Sequence, residues 1–280
     1  MALEPYSHYA QIGTQNAYDR WTPKLKFFAA FSALAGIGVA LAIARDIQYP
    51  VLGAFAGGII GYFIFRLVVY VAASNTADHL YRTDWCKERG MTYIGDGEFP
   101  ANAPYAKRGD KREATDAYEG EWNGLKTLFY NFTYTEKGDS DDPDTDYDFK
   151  IMRLTGRELP IASLTMHQRG FMNKFKFVDD LQGRFTGQKP VSLESVAFNE
   201  KWDLTIDDNA DEIWIRRIFD PATITALNDG HFTIPDVQYY GNAWWFVEKG
   251  HFKTEELEEW PAKQVLAADA VELLSRVQTL

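Results

Sequence analysis

The 280-residue chain is 46% hydrophobic and 25% charged, averages of a soluble protein that hide two long apolar segments near the N-terminus. Its net charge of −11 is unevenly distributed, because residues 1–73 carry +2 and residues 74–280 carry −13. A domain as acidic as the second part is repelled by the phosphate backbone, which argues against nucleic-acid binding. Because Cys86 is the single cysteine, the chain cannot form an internal disulfide or a metal site built from thiolates alone. The lack of a disulfide is consistent with a reducing compartment.

The two apolar segments cover residues 27–44, which contain no charge, and residues 50–73, which contain only Arg66. Each is long enough for a helix across a hydrocarbon layer of about 30 Å, which needs roughly 20 residues. The sequence therefore predicts a transmembrane helical hairpin over residues 27–73, preceded by a cytoplasmic segment of residues 1–26. The alternatives are a cleaved signal peptide and a buried helix pair of a soluble protein.

Basic residues flank this hairpin on the sides of the two termini, whereas the tight connecting loop holds only Arg45. By the positive-inside rule, both termini lie in the cytoplasm. The prediction is a multi-pass protein with two spans in the bacterial plasma membrane, and membrane lipid is one of its partners. The flanking basic residues are Arg20, Lys24, Lys26, Arg82, Lys87 and Arg89.

Glycines recur at every fourth position of the second segment. Gly53, Gly57 and Gly61 form one stripe of the predicted helix, where missing side chains permit the close approach of another helix. That helix belongs either to the same chain or to a second copy. Arg66 lies about 10 Å from the end of the segment at a rise of 1.5 Å per residue. It reaches the lipid headgroups, or it pairs with a buried lipid phosphate or a carboxylate of another subunit.

The remainder of the chain is predicted to be an α+β domain with a mainly antiparallel sheet. Residues 74–120 are interpreted as a helical and loop linker and residues 121–280 as the cytoplasmic domain. Alternation of polar and apolar residues predicts a half-buried strand at 125–135, followed by strands at 149–154 and 161–166.

Further elements are predicted in the C-terminal third, where a strand centres on Trp202–Ile206. Asp220–Pro221 supplies an N-cap and a first-turn proline for a short helix. Gly241–Asn242 is a two-residue hairpin signal, and an amphipathic helix begins near Pro261. Runs of strands with flanking helices indicate the α+β class.

Two motifs of the C-terminal half match signatures of one protein family. The stretch FVDDLQGRFTG follows F-V-x-D-[FL]-x-x-x-F-x-G and supplies Phe177, Val178, Asp180, Leu181, Phe185 and Gly187. The stretch FNEKWDLTIDDNADEIW supplies Phe198, Trp202, Leu204, Asp207, Asp208 and Trp214 for a second signature.

By these motifs the chain resembles a family of uncharacterised bacterial membrane proteins, defined only as a domain of unknown function. The resemblance covers residues 25–75 and 170–250. It implies two N-terminal membrane helices and a cytoplasmic domain, and it implies no activity. Asp220–Pro221 stands about three residues later than the family's threonine–proline pair, so the register shifts there.

Signatures of catalysis are absent from the sequence, including phosphate-binding loops, nucleophile elbows and zinc motifs. The acidic segment from Asp142 to Asp148 resembles the start of a calcium loop, but Tyr147 and Arg153 stand where glycine and glutamate are needed, which indicates a solvated hairpin tip. Asp207–Asp208 is interpreted as a structural pair. We therefore predict no catalytic residue, no metal site and no cofactor, and the sequence leaves enzymatic activity open while favouring its absence.

Trp244, Trp245 and Phe246 are consecutive, so in a strand they cannot all face one core. Either both faces of the sheet are covered or one ring meets a protein partner. The resulting hypothesis is a membrane-anchored, non-enzymatic interaction module or accessory subunit of a larger complex. The alternatives are a membrane-bound enzyme acting on a small or lipid-derived substrate and a homo-oligomeric scaffold that associates through its membrane helices.

Overall fold

The computed structural model describes residues 3–20, 24, 48–122, 124–138, 143–155, 161–169, 187–228 and 236–263. The chain divides into two compact units, Met1–Glu88 and Arg89–Leu280, and each is described by itself. The first predicted span, its connecting loop and most of the amphipathic helix predicted from Pro261 lie outside the described residues.

Two helices form the described part of the N-terminal unit. Helix α1 covers residues 6–20, and helix α2 runs from Gln48 to Arg89. α2 therefore contains the whole second apolar segment and continues past it, as the sequence predicts. It ends at Gly90, whose φ of 66° is the left-handed conformation that commonly closes a helix.

Helix α1 packs on α2 through small residues. Ala17 forms a buried cluster with Phe65, Val69 and Ala73 of α2. A Cβ atom on Gly13 would lie 2.4 Å from the carbonyl oxygen of Ala73, so only glycine permits this approach.

Hydrogen bonds between tyrosines and aspartates extend the contact of these two helices. The Tyr6 hydroxyl donates to Asp78 at 2.6 Å, and the Tyr9 hydroxyl donates to Asp84 at 2.9 Å. The early residues of α1 thus meet the late residues of α2, and Ala17 meets the earlier Phe65, so the two helices are antiparallel. Burial and the Asp84 hydrogen bond raise the pKa of Tyr9 to about 12, which keeps this hydroxyl a donor at neutral pH.

Within α2, the stretch Ile59–Arg89 is long and apolar enough to cross a membrane, as judged by length and composition. It is the one such helix among the described residues. A two-helix hairpin is not tested by these residues, because the first apolar segment lies outside them.

The described strands of the second unit form one nine-stranded antiparallel sheet in the order β1-β2-β3-β4-β9-β8-β5-β7-β6. This sheet places the chain in the α+β class with a mainly antiparallel sheet, as the sequence predicts. The strands are β1 Met91–Gly97, β2 Lys111–Trp122, β3 Leu125–Glu136, β4 Thr145–Thr155, β5 Ser163–Gln168, β6 Gln188–Val191, β7 Trp202–Asp207, β8 Asp236–Tyr240 and β9 Ala243–Lys249.

The sheet begins at Met91, earlier than the domain boundary predicted at residue 121. β1 pairs with β2, and Met91 lies opposite Gly120. The sequence conceals β1 because Gly95 and Gly97 interrupt it, and both mark shifts in its register. A glycine-rich strand with bulges has the composition of a loop, which is why the sequence predicts a helical and loop linker over residues 74–120.

Strand β3 is buried on both faces, so the prediction of a half-buried strand is wrong. Leu128 and Tyr130 are buried on one face, and Thr127, Phe129 and Asn131 are buried on the other. The second face is covered by residues that follow β9. Phe252 and Trp260 pack their rings on Phe129, at centroid distances of 5.5 and 6.2 Å.

Short helices among the described residues flank the strands. They include α3 Val196–Lys201, α4 Glu212–Ile218 and α5 Pro221–Asn228. The predicted cap of α5 is confirmed, because Asp220 accepts a hydrogen bond from the backbone N–H of Thr223 at 2.8 Å. The predicted hairpin at Gly241–Asn242 is confirmed as well. It joins β8 to β9, and its φ angles of 58° and 60° are those of a type I′ turn.

Candidate functional site

Neighbouring residues of the sheet point to opposite faces, and the two faces differ in chemistry. One cross-strand row of the first face is apolar and buried over seven strands. It consists of Phe129, Met152, Phe246, Val237, Met166, Leu204 and Val191.

The adjacent row, one residue away on each strand, lies on the second face and changes character across the sheet. It begins with Leu128 and then becomes polar, apart from one tryptophan and a terminal proline. We call this series the polar row: Arg153, Trp245, Gln238, Thr165 and Thr205. Directly opposed residues have Cβ atoms about 4.5–5.5 Å apart, so consecutive members of the row can reach one another.

Asp236 lies beside the polar row, two residues before Gln238 on β8. Only 2% of it is exposed. Its Oδ2 atom accepts hydrogen bonds from the Gln238 amide at 2.9 Å and from the Tyr105 hydroxyl at 3.2 Å. Its Oδ1 atom is buried and has no hydrogen-bond partner among the described residues. Burial raises the pKa of Asp236 to about 6, although both hydrogen bonds oppose the shift.

The segment that connects β1 to β2 covers the aromatic half of this second face. Tyr105 stacks on Phe149 at a centroid distance of 4.7 Å, and its positive φ of 62° is a conformation that non-glycine residues seldom adopt. The Tyr240 hydroxyl donates to the carbonyl of Asn102 at 2.7 Å. These contacts place Tyr105 over the sheet, where its hydroxyl reaches Asp236.

Further polar atoms on this face are buried without a hydrogen-bond partner among the described residues. Each such atom costs roughly 1–3 kcal/mol when it is left dry. Several together rival the total stability of a domain, which is about 5–15 kcal/mol. Ordered water is the simplest partner for such atoms. The unpartnered atoms are Tyr130 Oη, Arg153 Nε, Thr165 Oγ1, Trp245 Nε1 and the Asp236 Oδ1 already described.

Charged and titratable side chains lie at several positions of this face. The guanidinium of Arg153 lies over the Trp245 ring, 5.9 Å from its centroid. Burial raises the pKa of the Tyr130 hydroxyl, so Tyr130 is neutral and able to donate. His167 lies opposite Asp236 on β5, and burial lowers its pKa, so the imidazole is neutral at pH 7. The charged residues on this face include Arg153, Asp236 and Asp203, which lies opposite His167 on β7.

The three predicted partner-binding aromatics are all buried. Trp244 and Phe246 lie on the apolar face, and Trp245 lies in the polar row, with exposed fractions of 4%, 2% and 0%. The sequence left two alternatives for these rings, namely that both faces of the sheet are covered or that one ring meets a protein partner. In the described structure both faces are covered at these positions. The partner-binding role of these rings stays an untested prediction.

The residues predicted to act in the membrane lie in α2. Gly53 and Gly57 belong to a stretch whose side-chain surroundings are not described. Gly61 is buried and begins a series of buried positions at four-residue intervals, whereas Arg66 is exposed. That series continues through Phe65, Val69, Ala73, Ala77, Tyr81 and Trp85.

Asp207 and Asp208, the densest carboxylates of the signature region, hold turns together. Asp207 Oδ2 accepts hydrogen bonds from the backbone N–H groups of Ala162 and Ser163 at 3.0 and 3.3 Å. Asp208 donates its backbone N–H to the carbonyl of Gly187 at 2.6 Å. The contacts of both residues thus belong to the fold.

A surface cluster on the apolar face of β3 has the residue types of a nucleophile with its base. The Thr133 hydroxyl lies 3.0 Å from His251 Nε2 and donates to Asp148 at 2.8 Å. Asp148 also approaches Nε2 of the imidazole, at 3.4 Å. In a catalytic triad the carboxylate holds the other ring nitrogen, so this arrangement does not activate Thr133. Among the described residues there is no group of three acidic, histidine or cysteine side chains placed to hold a metal ion.

The sequence did not reveal the polar row or Asp236. Its members come from β4, β5, β7, β8 and β9, which are far apart in the chain and meet only through strand pairing. A local signal is present in the stretch DVQYY, where Asp236 and Gln238 alternate with Val237 and Tyr239. Alternation of this kind usually indicates a solvent-exposed face, but here both faces are buried.

Comparisons with known proteins place this chain in no described family. No family model and no curated protein matches the chain. One solved structure, that of the mycobacterial trehalose monomycolate transport factor A, TtfA, is similar to it over 70% of this chain and 93% of that one. The identity is 10% and the TM-score is 0.43, a likeness that carries no argument about function.

Proposed function

We propose that this protein is a membrane-anchored accessory subunit of a bacterial membrane complex, with the sheet domain as its cytoplasmic part. One observation carries the proposal: α2 exposes a continuous series of large apolar side chains. The series is Ile59, Ile60, Tyr62, Phe63, Ile64, Leu67, Val68, Tyr70 and Val71.

An exposed apolar surface of this extent is unfavourable in water and marks a membrane or protein contact. Phe63 is 65% exposed, Leu67 63% and Tyr70 71%, which are fractions that a soluble helix reserves for polar residues. Small residues such as Gly61 and Ala73 are buried instead. Small residues at a helix contact permit close packing, which is typical of helices in lipid.

Helix α1 supports an inner-leaflet position for the end of the span. Ala17 shares a buried cluster with Phe65 and Val69, and the neighbouring Asp19 and Arg20 are exposed. The exposed Arg66 lies at this same level of α2. Arg66 lies within the apolar stretch, about 10 Å from its end, and its long side chain extends toward the lipid phosphates.

The finer features of the anchor belong to the same proposal. They are a second span over residues 27–44, both termini in the cytoplasm, and membership of the uncharacterised membrane-protein family that the signatures resemble. The net charge of −13 beyond residue 73 supports a cytoplasmic domain that avoids anionic lipid and nucleic acid.

Topology is tested with single cysteines in a Cys86→Ser background. Arg45→Cys, in the predicted loop between the spans, is expected to react with a membrane-impermeant maleimide on intact spheroplasts. Lys111→Cys, which is exposed on β2, is expected to react only after permeabilisation. Equal labelling of both positions on intact spheroplasts would overturn the orientation.

The accessory role is tested by site-specific photo-crosslinking in native membranes. A photoreactive residue at Tyr70 is expected to capture lipid and one stoichiometric protein partner. The same residue at Tyr18, which is exposed on α1, is the matched control for general proximity. Capture of a second copy alone would favour the scaffold alternative, and repeated recovery of an uncrosslinked monomer would contradict the proposal.

The enzymatic alternative requires converging polar groups with a nucleophile or an acid–base pair. The polar row supplies converging groups. Its hydroxyls, however, are those of Thr165 and Thr205, and neither is hydrogen-bonded to a histidine among the described residues. The row therefore favours binding over catalysis.

A further inference from the structure

We propose that α1 is an interfacial helix that binds the lipid headgroups of the inner leaflet, with Arg20 and Arg66 as the phosphate contacts, while the opposite side of α2 lies in the acyl chains at the same level. The membrane surface then crosses this helix pair obliquely. The inference rests on the proposed membrane anchor and deepens it, because it assigns a lipid contact to a helix that does not itself span the membrane.

The two helices lie side by side at the end of the apolar stretch. Ala17 of α1 shares a buried cluster with Phe65 and Val69 of α2. One turn earlier in α1, Gly13 packs so closely on the carbonyl of Ala73 that a Cβ atom has no room there. The second half of α1 is therefore at the level of residues 65–73 of α2.

The outer sides of the two helices have opposite chemistry at this level. A residue two positions from a buried one lies about 160° away around a helix of 3.6 residues per turn. On α1 these outer positions are Gln15 and Asp19, which are exposed, and the Gln15 amide donates to the Asp19 carboxylate at 3.0 Å. On α2 they are Leu67 and Val71, whose exposed fractions are 63% and 47%. One side of the pair is thus polar and the other apolar.

The two outer sides require different surroundings. An ionised carboxylate such as Asp19 is unfavourable in hydrocarbon, and so is an amide without hydrogen-bond partners. Leu67 and Val71 are instead unfavourable in water. The α1 side therefore fits the headgroup layer and the α2 side fits the acyl chains, which is the division found in amphipathic helices at a membrane surface.

The length of α2 agrees with an oblique position. From Gln48 to Val71 the helix measures about 36 Å, which exceeds a hydrocarbon layer of about 30 Å. On the α1 side the surface lies near Phe65, and on the opposite side it lies beyond Val71, a difference of about 9 Å along the helix. Two adjacent helices are about 20 Å wide, so this difference corresponds to a tilt of roughly 25°. Membrane helices tilt by about 20° on average, and tilting accommodates a span that is longer than the bilayer is thick.

Charge changes sign along the helix pair. Arg20 and Arg66 are exposed at the end nearest the membrane, where they outnumber Asp19. Asp78 and Asp84 lie at the other end, where they accept hydrogen bonds from tyrosines of α1. The inner leaflet has a negative surface potential, which attracts arginine and repels carboxylates. The pair therefore complements anionic headgroups at the end that meets them.

Depth-dependent fluorescence quenching of the full-length protein tests the proposal. Single cysteines in a Cys86→Ser background are labelled with bimane and reconstituted in vesicles of phosphatidylethanolamine and phosphatidylglycerol. The vesicles contain a lipid with a nitroxide either at the headgroup or in the acyl chain. Gln15→Cys and Val71→Cys form the level-matched pair, and Phe63→Cys reports on the anchor itself. We expect stronger quenching by the headgroup nitroxide at position 15 and by the acyl-chain nitroxide at positions 63 and 71.

A charge variant tests the assigned phosphate contacts. Arg20→Gln combined with Arg66→Gln removes two cationic anchors, and such anchors help to set the tilt of a membrane helix. We expect the difference in depth between positions 15 and 71 to shrink at least about twofold. Lys111→Gln combined with Lys126→Gln removes the same charge from exposed positions of the sheet and should leave the difference unchanged.

The outcomes separate this inference from the proposed anchor. Equal depth at positions 15 and 71, with position 63 in the acyl chains, overturns the oblique contact and leaves the anchor intact. Absence of quenching at position 71 by either lipid, with position 63 in the acyl chains, overturns it in favour of a protein that covers α2. Absence of quenching at all three positions overturns the anchor and the inference together. An unchanged difference in the arginine variant, with folding checked by circular dichroism, overturns the phosphate contacts.

Discussion

The two faces of the sheet differ although their residues alternate along the same strands. Phe246 belongs to a row that is apolar over seven strands, whereas its neighbour Trp245 belongs to a row that contains Arg153, Gln238 and Thr165. Both residues are at most 2% exposed. The first face buries apolar side chains against one another, as a stable hydrophobic core does. The second carries buried polar atoms without hydrogen-bond partners among the described residues, at a cost in stability.

The largest effect is expected on the apolar face. Phe246→Ala removes a fully buried aromatic ring from the continuous row and should lower the free energy of unfolding by about 3–5 kcal/mol. Trp245→Phe, on the polar face, removes an unpartnered N–H and keeps an aromatic ring, so we expect a loss under about 1.5 kcal/mol. Chemical denaturation of the full-length protein in micelles measures both. Equal losses would show that the two faces do not differ energetically.

An increase in stability is expected from Asp236→Asn. The folded-state pKa of about 6 lies above the unfolded value of 3.8, so folding favours the protonated carboxyl. The contribution of Asp236 is fully present below pH 4 and is lost as the pH rises through about 6. At pH 7 the variant should therefore be more stable than the wild type by about 3 kcal/mol, since one pKa unit corresponds to 1.36 kcal/mol.

The pH dependence of that difference is the more specific test. The groups that face Asp236 are Tyr105, Gln238 and His167, and none of them carries a charge at pH 7. We expect the stability difference to shrink between pH 7 and pH 4 as the carboxyl protonates. A difference that stays constant over this range would contradict the uncompensated charge at Asp236.

The smallest expected effect is a difference in unfolding free energy between variants of two buried threonines. The Thr127 hydroxyl donates to the carbonyl of Leu125 at 3.0 Å, whereas Thr165 Oγ1 has no hydrogen-bond partner among the described residues. Thr127→Val should cost about 1 kcal/mol of unfolding free energy, and Thr165→Val should be neutral or stabilising. Thermal unfolding of the two variants side by side checks the order, and the reverse order would place a partner at Thr165.

Local signals in the sequence identify the elements better than the site. Gly241–Asn242 and Asp220–Pro221 predict a turn and a helix start correctly, because φ preferences and capping act between neighbours. The long apolar segment likewise predicts α2. Strand β1 escapes detection because its glycines and bulges remove the period of two.

The polar row could not be predicted for a different physical reason. Arg153 and Thr165 belong to one row only because β9 and β8 lie between β4 and β5 in the sheet. Register between distant strands is a long-range property, and the local pattern of each strand is compatible with other neighbours. The burial of β3 on both faces depends in the same way on Phe252 and Trp260, which are distant in sequence.

The proposed anchoring role rests on the exposed apolar side of α2 lying in lipid. The most direct measurement is the accessibility of a nitroxide spin label at Phe63 and at Asn16, each replaced by cysteine in a Cys86→Ser background and reconstituted in liposomes. We predict that the label at 63 collides with dissolved oxygen and is protected from a water-soluble nickel chelate, and that the label at 16 shows the reverse. Equal access of the nickel chelate to both labels would contradict the membrane anchor.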